Sequence, residues 1–256
     1  MSTLLLRLAG PMQSWGASSR FKKLATEREP TKSGVVGLIA AALGRRRNED
    51  ISDLSALRFG VRVDQPGVLL RDYHTAHNPN DAKLSFISER YYLCDAIFVV
   101  GFESDNELLL KEIKAALQSP YFPLYLGRRS CPPTGKIVLD LTKLPLKEAL
   151  ELQEWQAQGW YMKKRQHESD VNLEIVTDVS FETPNSYVKR DMPISFSDEF
   201  RRYGFRIQSS DVKGVTIENS YKPQAAAELS ETILIKHETE HDPYLALEVS
   251  DVSVES

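Results

Sequence analysis

One segment of the sequence has the residue types and spacing of a zinc-dependent hydrolase. His237 and His241 flank Glu238 in the order H-E-x-x-H, which binds zinc when both histidines project from one helical turn. The run Thr232–Ile235 is rich in β-branched residues and Pro243 follows closely, so a helix is disfavoured here. Only fifteen residues remain to supply a third ligand. The sequence therefore predicts no metal site here.

A second group of residues interleaves basic and aromatic side chains between Leu69 and about Asp95, where two extended arms flank a polar tip. Such interleaving can neutralise phosphates and stack the unpaired bases of single-stranded nucleic acid. Aromatic residues on strands also commonly pack in a core, and that alternative stays open. Alternation places Arg71 and Tyr73 on one face of their strand and His74 on the other. The group comprises Arg71, Tyr73, His74, Arg90, Tyr91 and Tyr92.

His74 also raises the alternative of RNA cleavage. A histidine within hydrogen-bond reach of a ribose 2′-hydroxyl can act as a general base. Tyr73 is adjacent, and Lys83 or Lys136 offers a cation. The sequence leaves open whether these groups meet.

Two loops offer further groups for nucleic acid. Gln13 and Ser14 can form hydrogen bonds with base edges, and Trp15 offers a ring for stacking, with core packing of the ring as the alternative. Arg128 and Arg129 follow a predicted strand, where a guanidinium pair can bind phosphates through two hydrogen bonds each. The alternative is a pair of arginines that merely face solvent.

Charge is distributed unevenly along this chain of net charge −4. Residues 1–47 hold nine Lys or Arg against two Glu, a net of +7, and residues 217–256 have a net of −7. Such asymmetry is expected when one surface meets a polyanion, although solvated surfaces also carry charge runs. The predicted start of a helix at Ser33, beside Lys32, suits a phosphate. The remaining candidate phosphate-binding residues of this block are Arg45 and Arg46.

Apolar periodicity predicts the elements that carry these groups. Leu4–Leu8 is typical of a buried strand, and Ser33–Leu43 of a helix that is apolar almost all round, with Ser33 as its N-cap and Gly44 as its stop. Further predictions are strands at 59–63 and 96–102, a helix ending before Pro120, strands on both sides of Arg128–Arg129, a helix at 145–158, a loop at 163–170, and strands at 174–181, 187–196 and 200–210. The order β-α-β-hairpin-β-α-β is that of the ferredoxin-like fold.

Composition indicates an ordinary soluble globular protein, with 41% hydrophobic and 27% charged residues. No apolar run approaches the roughly 20 residues of a membrane span, and the N-terminus is too short and too soon charged for a signal peptide. We therefore expect a cytoplasmic protein without a membrane partner. Cys94 and Cys131 lie far apart in sequence, which predicts inert or buried thiols rather than a disulfide framework.

Four stretches resemble the CasD family, the subunits of type I-E CRISPR Cascade complexes that cap the 5′ end of the guide RNA. They are LRLAGPMQSWG (6–16), PTKSGVVGLIAAALG (30–44), LRDYHTAH with YLCDA (70–77 and 92–96) and YLGRRSCPP (125–133). KRDMPISF (189–196) and the following FRRYGFR extend the resemblance more weakly to about residue 207. The segment after about residue 214 has no counterpart in the resemblance.

The resemblance implies an α+β fold, with a ferredoxin-like, RRM-like βαββαβ palm at 1–214 and a β-hairpin thumb inserted at about 65–95. The sequence itself adds a β-rich acidic C-terminal extension at 215–256, to which we assign no role. The resemblance also implies no cofactor, and a non-catalytic RNA-binding subunit of the RAMP superfamily that caps the 5′ handle of the crRNA in antiviral defence. The implied neighbours are the Cascade backbone subunit and the large PAM-reading subunit, with target DNA contacted indirectly. Relatives in another CRISPR subtype cut repeat RNA, so an endoribonuclease is one alternative. A protein-only scaffold is the other.

Overall fold

The fold is a mixed α/β architecture, rich in antiparallel strands and with few helices. The structure is a computed structural model that describes residues 1–16, 23–78, 81–219 and 221. The strands are β1 (Ser2–Ala9), β2 (Met12–Gln13), β3 (Lys23–Leu24), β4 (Arg58–Gln65), β5 (Val68–Asn78), β6 (Asp81–Cys94), β7 (Ile97–Ser104), β8 (Val138–Thr142), β9 (Asp170–Asp178), β10 (Ser186–Ser195) and β11 (Arg202–Glu218). The helices are α1 (Lys32–Ala42), α2 (Ser52–Ser55), α3 (Glu107–Gln118), α4 (Leu146–Leu152) and α5 (Gly159–Lys164).

Seven strands form the main sheet in the order β10-β11-β9-β4-β7-β1-β8, with every neighbouring pair antiparallel. The central strands are buried on both faces. Leu4, Leu6 and Leu8 of β1 pack in the same core as α1 and α3, whereas Leu5 packs with α4 on the other side. The predicted buried strand at Leu4–Leu8 is therefore confirmed, since successive side chains of one strand fill two cores.

Helix α1 lies in the larger core, as its nearly continuous apolar surface predicts. Its stop is also as predicted, because Gly44 adopts a φ of +77° and donates its N–H to the Ala41 carbonyl. The predicted cap is wrong. Thr31 is the N-cap, and its hydroxyl accepts from the Gly34 N–H at 3.3 Å, whereas Ser33 already lies inside the helix. Both residues can cap, so sequence alone did not decide between them.

A long hairpin projects from this arrangement, in the region for which the sequence predicts one. Strands β5 and β6 pair antiparallel from Val68 opposite Cys94 to Asn78 opposite Asp81. Strand β6 also pairs with β2 and, in parallel, with β3. These four strands form a second sheet, in which β6 is the strand that contacts all the others.

Three sequence predictions need correction. Residues 121–126 form no strand, because Pro120 and Pro123 lack N–H donors and the Tyr121 N–H is bonded to the Ala42 carbonyl at the end of α1. The helix predicted at 145–158 ends at Leu152, and α5 occupies the start of the predicted loop. Strand β11 continues through residue 214, the predicted end of the palm, to Glu218.

The prediction at 215–256 falls largely outside the described residues, because residues 222–256 are not described. The H-E-x-x-H segment lies within that range. Of the helices in the described residues, none is long and apolar enough to cross a membrane.

A fully buried ion pair fixes α4 and the following turn to the main sheet. Arg62 and Asp64 have no exposed side-chain surface, and two guanidinium nitrogens donate to the Asp64 carboxylate at 2.7 and 2.9 Å. The same guanidinium donates to the carbonyls of Leu150, Gln153 and Glu154 at 2.5 to 2.9 Å. Burial raises the pKa of Asp64, against the opposing effect of Arg62.

We predict that Asp64→Asn lowers the free energy of unfolding by about 3 to 5 kcal/mol, because it leaves the buried Arg62 charge uncompensated. Asp105→Asn is the matched control. Its carboxylate is 81% exposed and pairs with the N-terminal ammonium at 3.4 Å, so it should change stability by less than about 1 kcal/mol. Urea denaturation measures both free energies, provided that each variant has the wild-type slope of unfolding free energy against urea concentration. Equal losses of unfolding free energy in the two variants would show that the buried pair stabilises the fold no more than the exposed pair does.

Candidate nucleic-acid interface

The Gln13–Trp15 loop is part of the protein interior. The Gln13 side-chain amide donates to the carbonyls of Leu8 and Ala96, and its oxygen accepts from the Trp15 indole N–H at 3.0 Å. The Ser14 hydroxyl donates to the Tyr91 carbonyl at 3.1 Å. Trp15 is 0% exposed. The fold therefore uses these polar groups internally, and the Trp15 ring is packed in the core, the alternative that the sequence left open. Contact of these three side chains with bases stays a prediction.

The turn that carries Arg128 and Arg129 packs against the Gln13–Trp15 loop at Gly127. Gly127 has a φ of +86°, and a Cβ there would lie 1.7 Å from the Ser14 carbonyl oxygen. The Ser14 N–H donates to the Leu126 carbonyl at 3.1 Å. Only glycine therefore allows this approach of the two backbones.

The two arginines of the turn have different surroundings. The Arg128 guanidinium lies 4.7 Å from the centroid of the Tyr92 ring and donates through Nη2 to the Leu24 carbonyl at 2.8 Å. Its Nη1 is buried and has no hydrogen-bond partner in the described part of the chain. Arg129 is exposed. The predicted pair is thus one half-buried side chain that braces the hairpin base and one that faces solvent.

The N-terminus of α1 already holds an anion of the protein's own. Asp191 accepts the Lys32 backbone N–H at 2.9 Å, and the Lys32 ammonium pairs with Asp178 at 3.1 Å. Lys32 and Ser33 are both buried. A carboxylate thus occupies the helix end and a second one neutralises Lys32, which disfavours phosphate binding there. The assignment of Lys32 and Ser33 to phosphate stays a prediction.

Arg206 completes this buried cluster. It donates to both Asp191 oxygens at 2.5 and 2.9 Å and to Asp178 at 2.6 Å, and its guanidinium lies 5.2 Å from the Phe59 ring centroid. Burial alone would lower the pKa of Arg206, but hydrogen bonds and charge from both carboxylates outweigh it and raise that pKa. The cluster joins α1, β9, β10 and β11.

Arg45 and Arg46 differ in exposure, as Arg128 and Arg129 do. Arg45 forms two hydrogen bonds with the Asp53 carboxylate at 2.5 and 2.6 Å, which raises the pKa of Arg45 and ties the end of α1 to α2. Arg46 is exposed. Of this pair, Arg46 remains available to a polyanion.

The hairpin separates its side chains as predicted. Arg71 and Tyr73 share a face, with the guanidinium 4.6 Å from the Tyr73 ring centroid and 2.8 Å from Glu89. His74 lies on the other face and pairs with Asp72 at 2.6 Å. Arg71, Tyr73 and His74 are each exposed by about half, whereas Tyr92 is buried. Arg90, opposite Asp72, has a buried Nε without a hydrogen-bond partner among the described residues.

A cleft of about 250 Å³ opens between the start of α1 and the Gly127–Arg128 turn. The N-terminal loop, the start of α1, the Gly127–Arg128 turn and β11 with the residue before it all contribute to its walls. The sequence analysis named Ser14, Trp15, Ser33 and Arg128 among its lining residues but missed Arg201 and Tyr203. The sequence signal for these two is the FRRYGFR stretch, which combines three arginines with three aromatic residues.

Comparisons with known proteins agree with this arrangement. A sequence model of the family described as CRISPR-associated protein (Cas_Cas5) matches residues 3–207. The chain belongs to the Cas5 family. The match covers the main sheet up to the middle of β11.

Individual Cas5-type relatives extend the comparison. The Cascade subunit CasD of the CRISPR system of Escherichia coli (strain K12) is 39% identical over 158 residues, covering 54% of this chain and 70% of that protein. A crystal structure of a Cas protein is 40% identical, with a TM-score of 0.65, and covers 86% of this chain and 97% of its own. A chain of a CRISPR RNA-guided surveillance complex is 30% identical, with the same TM-score, and covers 84% and 91% respectively. The resemblance to CasD noted in the sequence is confirmed.

Among the described residues, the groups considered for RNA cleavage lie on separate surfaces of this Cas5-family chain. Tyr73 and His74 lie on opposite faces of β5. Lys136 is on the segment before β8, where it lines a depression with Leu117 and Pro120. The side chain of Lys83 is outside the described set. Cys94 is half-buried and Cys131 buried, and burial raises the pKa of both thiols.

We predict that Gly127→Ala destabilises the protein more than Gly135→Ala. Both glycines have positive φ, at +86° and +71°, so both variants incur roughly 1 to 2 kcal/mol of backbone strain. A Cβ at Gly135 meets its nearest atom at 3.6 Å, whereas at Gly127 it overlaps the Ser14 carbonyl. The excess loss in Gly127→Ala, measured by urea denaturation, reports the contact between the turn and the loop. Identical losses would contradict the close approach.

Proposed function

We propose that this chain is a non-catalytic RNA-binding subunit of a type I-E Cascade complex that binds and caps the 5′ handle of the crRNA. Membership of the Cas5 family and the likeness to CasD and to a chain of an RNA-guided surveillance complex support the assignment. The observation that carries it is the grouping of the β5–β6 hairpin, the Arg128–Arg129 turn and the cleft beside β3, the strand that pairs with β6. Together these present exposed cations, an exposed aromatic ring and a concavity sized for part of a nucleotide.

The proposal includes a ferredoxin-like palm with the β5–β6 hairpin as its thumb. Four strands support it, since β1, β4, β7 and β8 lie in the order β4-β7-β1-β8, with α1 after β1 and α3 after β7. An antiparallel sheet of this order, with its two helices on one face, is the arrangement that the βαββαβ pattern generates. The strands β9–β11 then extend the palm beside β4.

The cations assigned to RNA on this proposal are those that the fold leaves exposed. They are Arg46, Arg71 and Arg129, together with Arg201, which is 48% exposed. Tyr73 is 58% exposed and offers a ring for stacking. Arg45 and Lys32 act indirectly, because they hold the elements in place.

The assembly expected from this function is the one that the family resemblance implies. The backbone subunit and the large PAM-reading subunit would be its neighbours, target DNA would be reached through them, and the complex would act in the cytoplasm without a cofactor. A protein-only scaffold would present the same family fold but would not bind RNA in a salt-dependent way.

One observation favours the alternative of an endoribonuclease. His74 is exposed by about half and held by Asp72 at 2.6 Å, an arrangement that can orient an imidazole for proton transfer. The proposal assigns this pair to the surface of the thumb instead, because Tyr73, the hydroxyl considered with His74, lies on the other face of β5. Cleavage assays separate the two assignments.

We predict that binding of handle RNA weakens steeply with salt, because neutralised phosphates release counterions. Arg129→Ala should reduce the slope of log K against log salt by about 0.7, the value for one contact with a single strand. The double variant Arg128→Ala/Arg129→Ala should reduce affinity further, since Arg128 also braces the hairpin. Lys111→Ala is the charge-matched control on α3, where the lysine pairs with Glu107, and it should leave the slope unchanged. An unaltered slope in the Arg129 variant would make this arginine ordinary surface.

We also predict the effect of shortening the thumb. Replacing Asn78–Lys83 by a two-residue turn should leave the melting temperature of the chain unchanged, because the tip lies beyond the main sheet. It should impair co-purification with guide RNA and the other Cascade subunits, because on this proposal the hairpin must be long enough to separate the handle from the spacer. His74→Ala should change no RNA product, because the chain performs no cleavage. Normal assembly of the shortened chain, or His74-dependent cutting of repeat RNA by purified protein, would overturn this assignment.

A further inference from the structure

We propose that the cleft beside Arg128 holds a single nucleobase of single-stranded RNA, turned out of the strand and stacked within the protein. The inference rests on the proposed function and assigns one subsite within it. The groups that would contact the nucleotide are Thr31, Ser33, Arg128, Arg201 and Tyr203.

The size of the cleft suits one base. Its volume is about 250 Å³, which is below the roughly 300 Å³ at which pockets for drug-sized ligands begin. A stack of two bases or a folded ligand would not enter. A single planar group would, with its sugar and phosphate remaining at the mouth.

The chemistry of the walls suits a planar polar group rather than a lone phosphate. The helix end behind the cleft is already capped by Asp191 and Thr31, so it offers no positive end to an anion. The hydroxyl groups of Thr31, Ser33 and Tyr203 can each donate or accept, which matches the mixed donor and acceptor edges of bases. Guanidinium planes and aromatic rings are the surfaces on which unstacked RNA bases pack.

Two arginines of the cleft have hydrogen-bonding capacity that the protein does not use. Arg128 Nη1 is buried and lacks a partner among the described residues, which is unusual for a buried donor. Arg201 is 48% exposed, and its contact with Asp198 spans 3.8 Å between exposed groups. A nucleotide in the cleft would supply base or phosphate oxygens to both side chains.

The wall formed by Ser14 and Trp15 is held in place before any ligand arrives. Trp15 is fully buried, with its indole bonded to Gln13, and the backbone of Ser14 is fixed by Leu126 and by contact with Gly127. A preformed cleft loses little conformational entropy when it is filled, which favours capture of a base from a flexible single strand.

The test is a scan of abasic sites in the handle RNA against variants of the full-length chain. RNA oligonucleotides carrying the repeat-derived handle, each with one base removed, are titrated against wild type, Tyr203→Ala and Arg201→Ala. Arg202→Ala is the matched control, since this adjacent arginine is exposed but is not among the residues lining the cleft. Melting temperatures of all variants are recorded, and Arg201→Ala carries the test if Tyr203→Ala does not fold.

The expected result is one handle position at which loss of the base weakens binding by about 5- to 150-fold in wild type, the equivalent of one stacked base. In Tyr203→Ala or Arg201→Ala the same abasic site should weaken RNA binding by less than about twofold, because the subsite is already lost. Arg202→Ala should retain the wild-type pattern. A flat scan in wild type, a scan unchanged by both cleft variants, or loss of the pattern in Arg202→Ala would each overturn the subsite while leaving handle binding intact. Failure of wild type to bind the intact handle would overturn the proposed function and the subsite together.

Discussion

The guanidinium group of Arg206 determines where α1 meets the strands that close the main sheet. It joins Asp191 on β10 to Asp178 at the end of β9, and Asp191 in turn accepts the first backbone N–H of α1. Removing either carboxylate from such a buried cluster would leave a charge without a partner, which is costly in a medium of low dielectric constant. The cluster therefore fixes the C-terminal strands against the start of α1, and the cleft lies where these elements approach one another.

This arrangement divides the cations of the chain into two classes. Lys32, Arg45 and Arg62 are committed to carboxylates of the protein, so their charge contributes to stability and little to the outer field. Arg46 and Arg129 are exposed, and neither forms an ion pair with a carboxylate in the described part of the chain. The net charge of the N-terminal 47 residues thus overstates the charge that a polyanion would meet. An RNA-binding surface in this fold must be built from a few well-placed arginines rather than from the whole basic block.

Local patterns in the sequence predicted the elements well and their contacts poorly. The strand at Leu4–Leu8 and the helix that begins after Asn106 follow from apolar periodicity, which depends on neighbouring residues only. Whether the Lys32 backbone N–H is free to bind an anion depends on Asp191, which is 159 residues away in the sequence. Trp15 is another case, because its burial depends on Gln13 adopting a position set by the carbonyls of Leu8 and Ala96. The residue types therefore indicate what these side chains could bind, but contacts with distant residues determine whether their polar groups are free to bind a ligand.

Strand β6 makes the hairpin and the cleft mechanically dependent on each other. It pairs along its length with β5, and near its base it pairs with β2 and β3, whose flanking residues form the wall of the cleft. Arg128 lies against the ring of Tyr92 on the same strand and is bonded to Leu24 on β3. A displacement of the hairpin base would therefore shift the Arg128 side chain and, through Gly127, the backbone of Ser14. A nucleic acid that contacts the hairpin and one that enters the cleft act on the same set of bonds, so the two contacts should strengthen each other by holding β6 in one position.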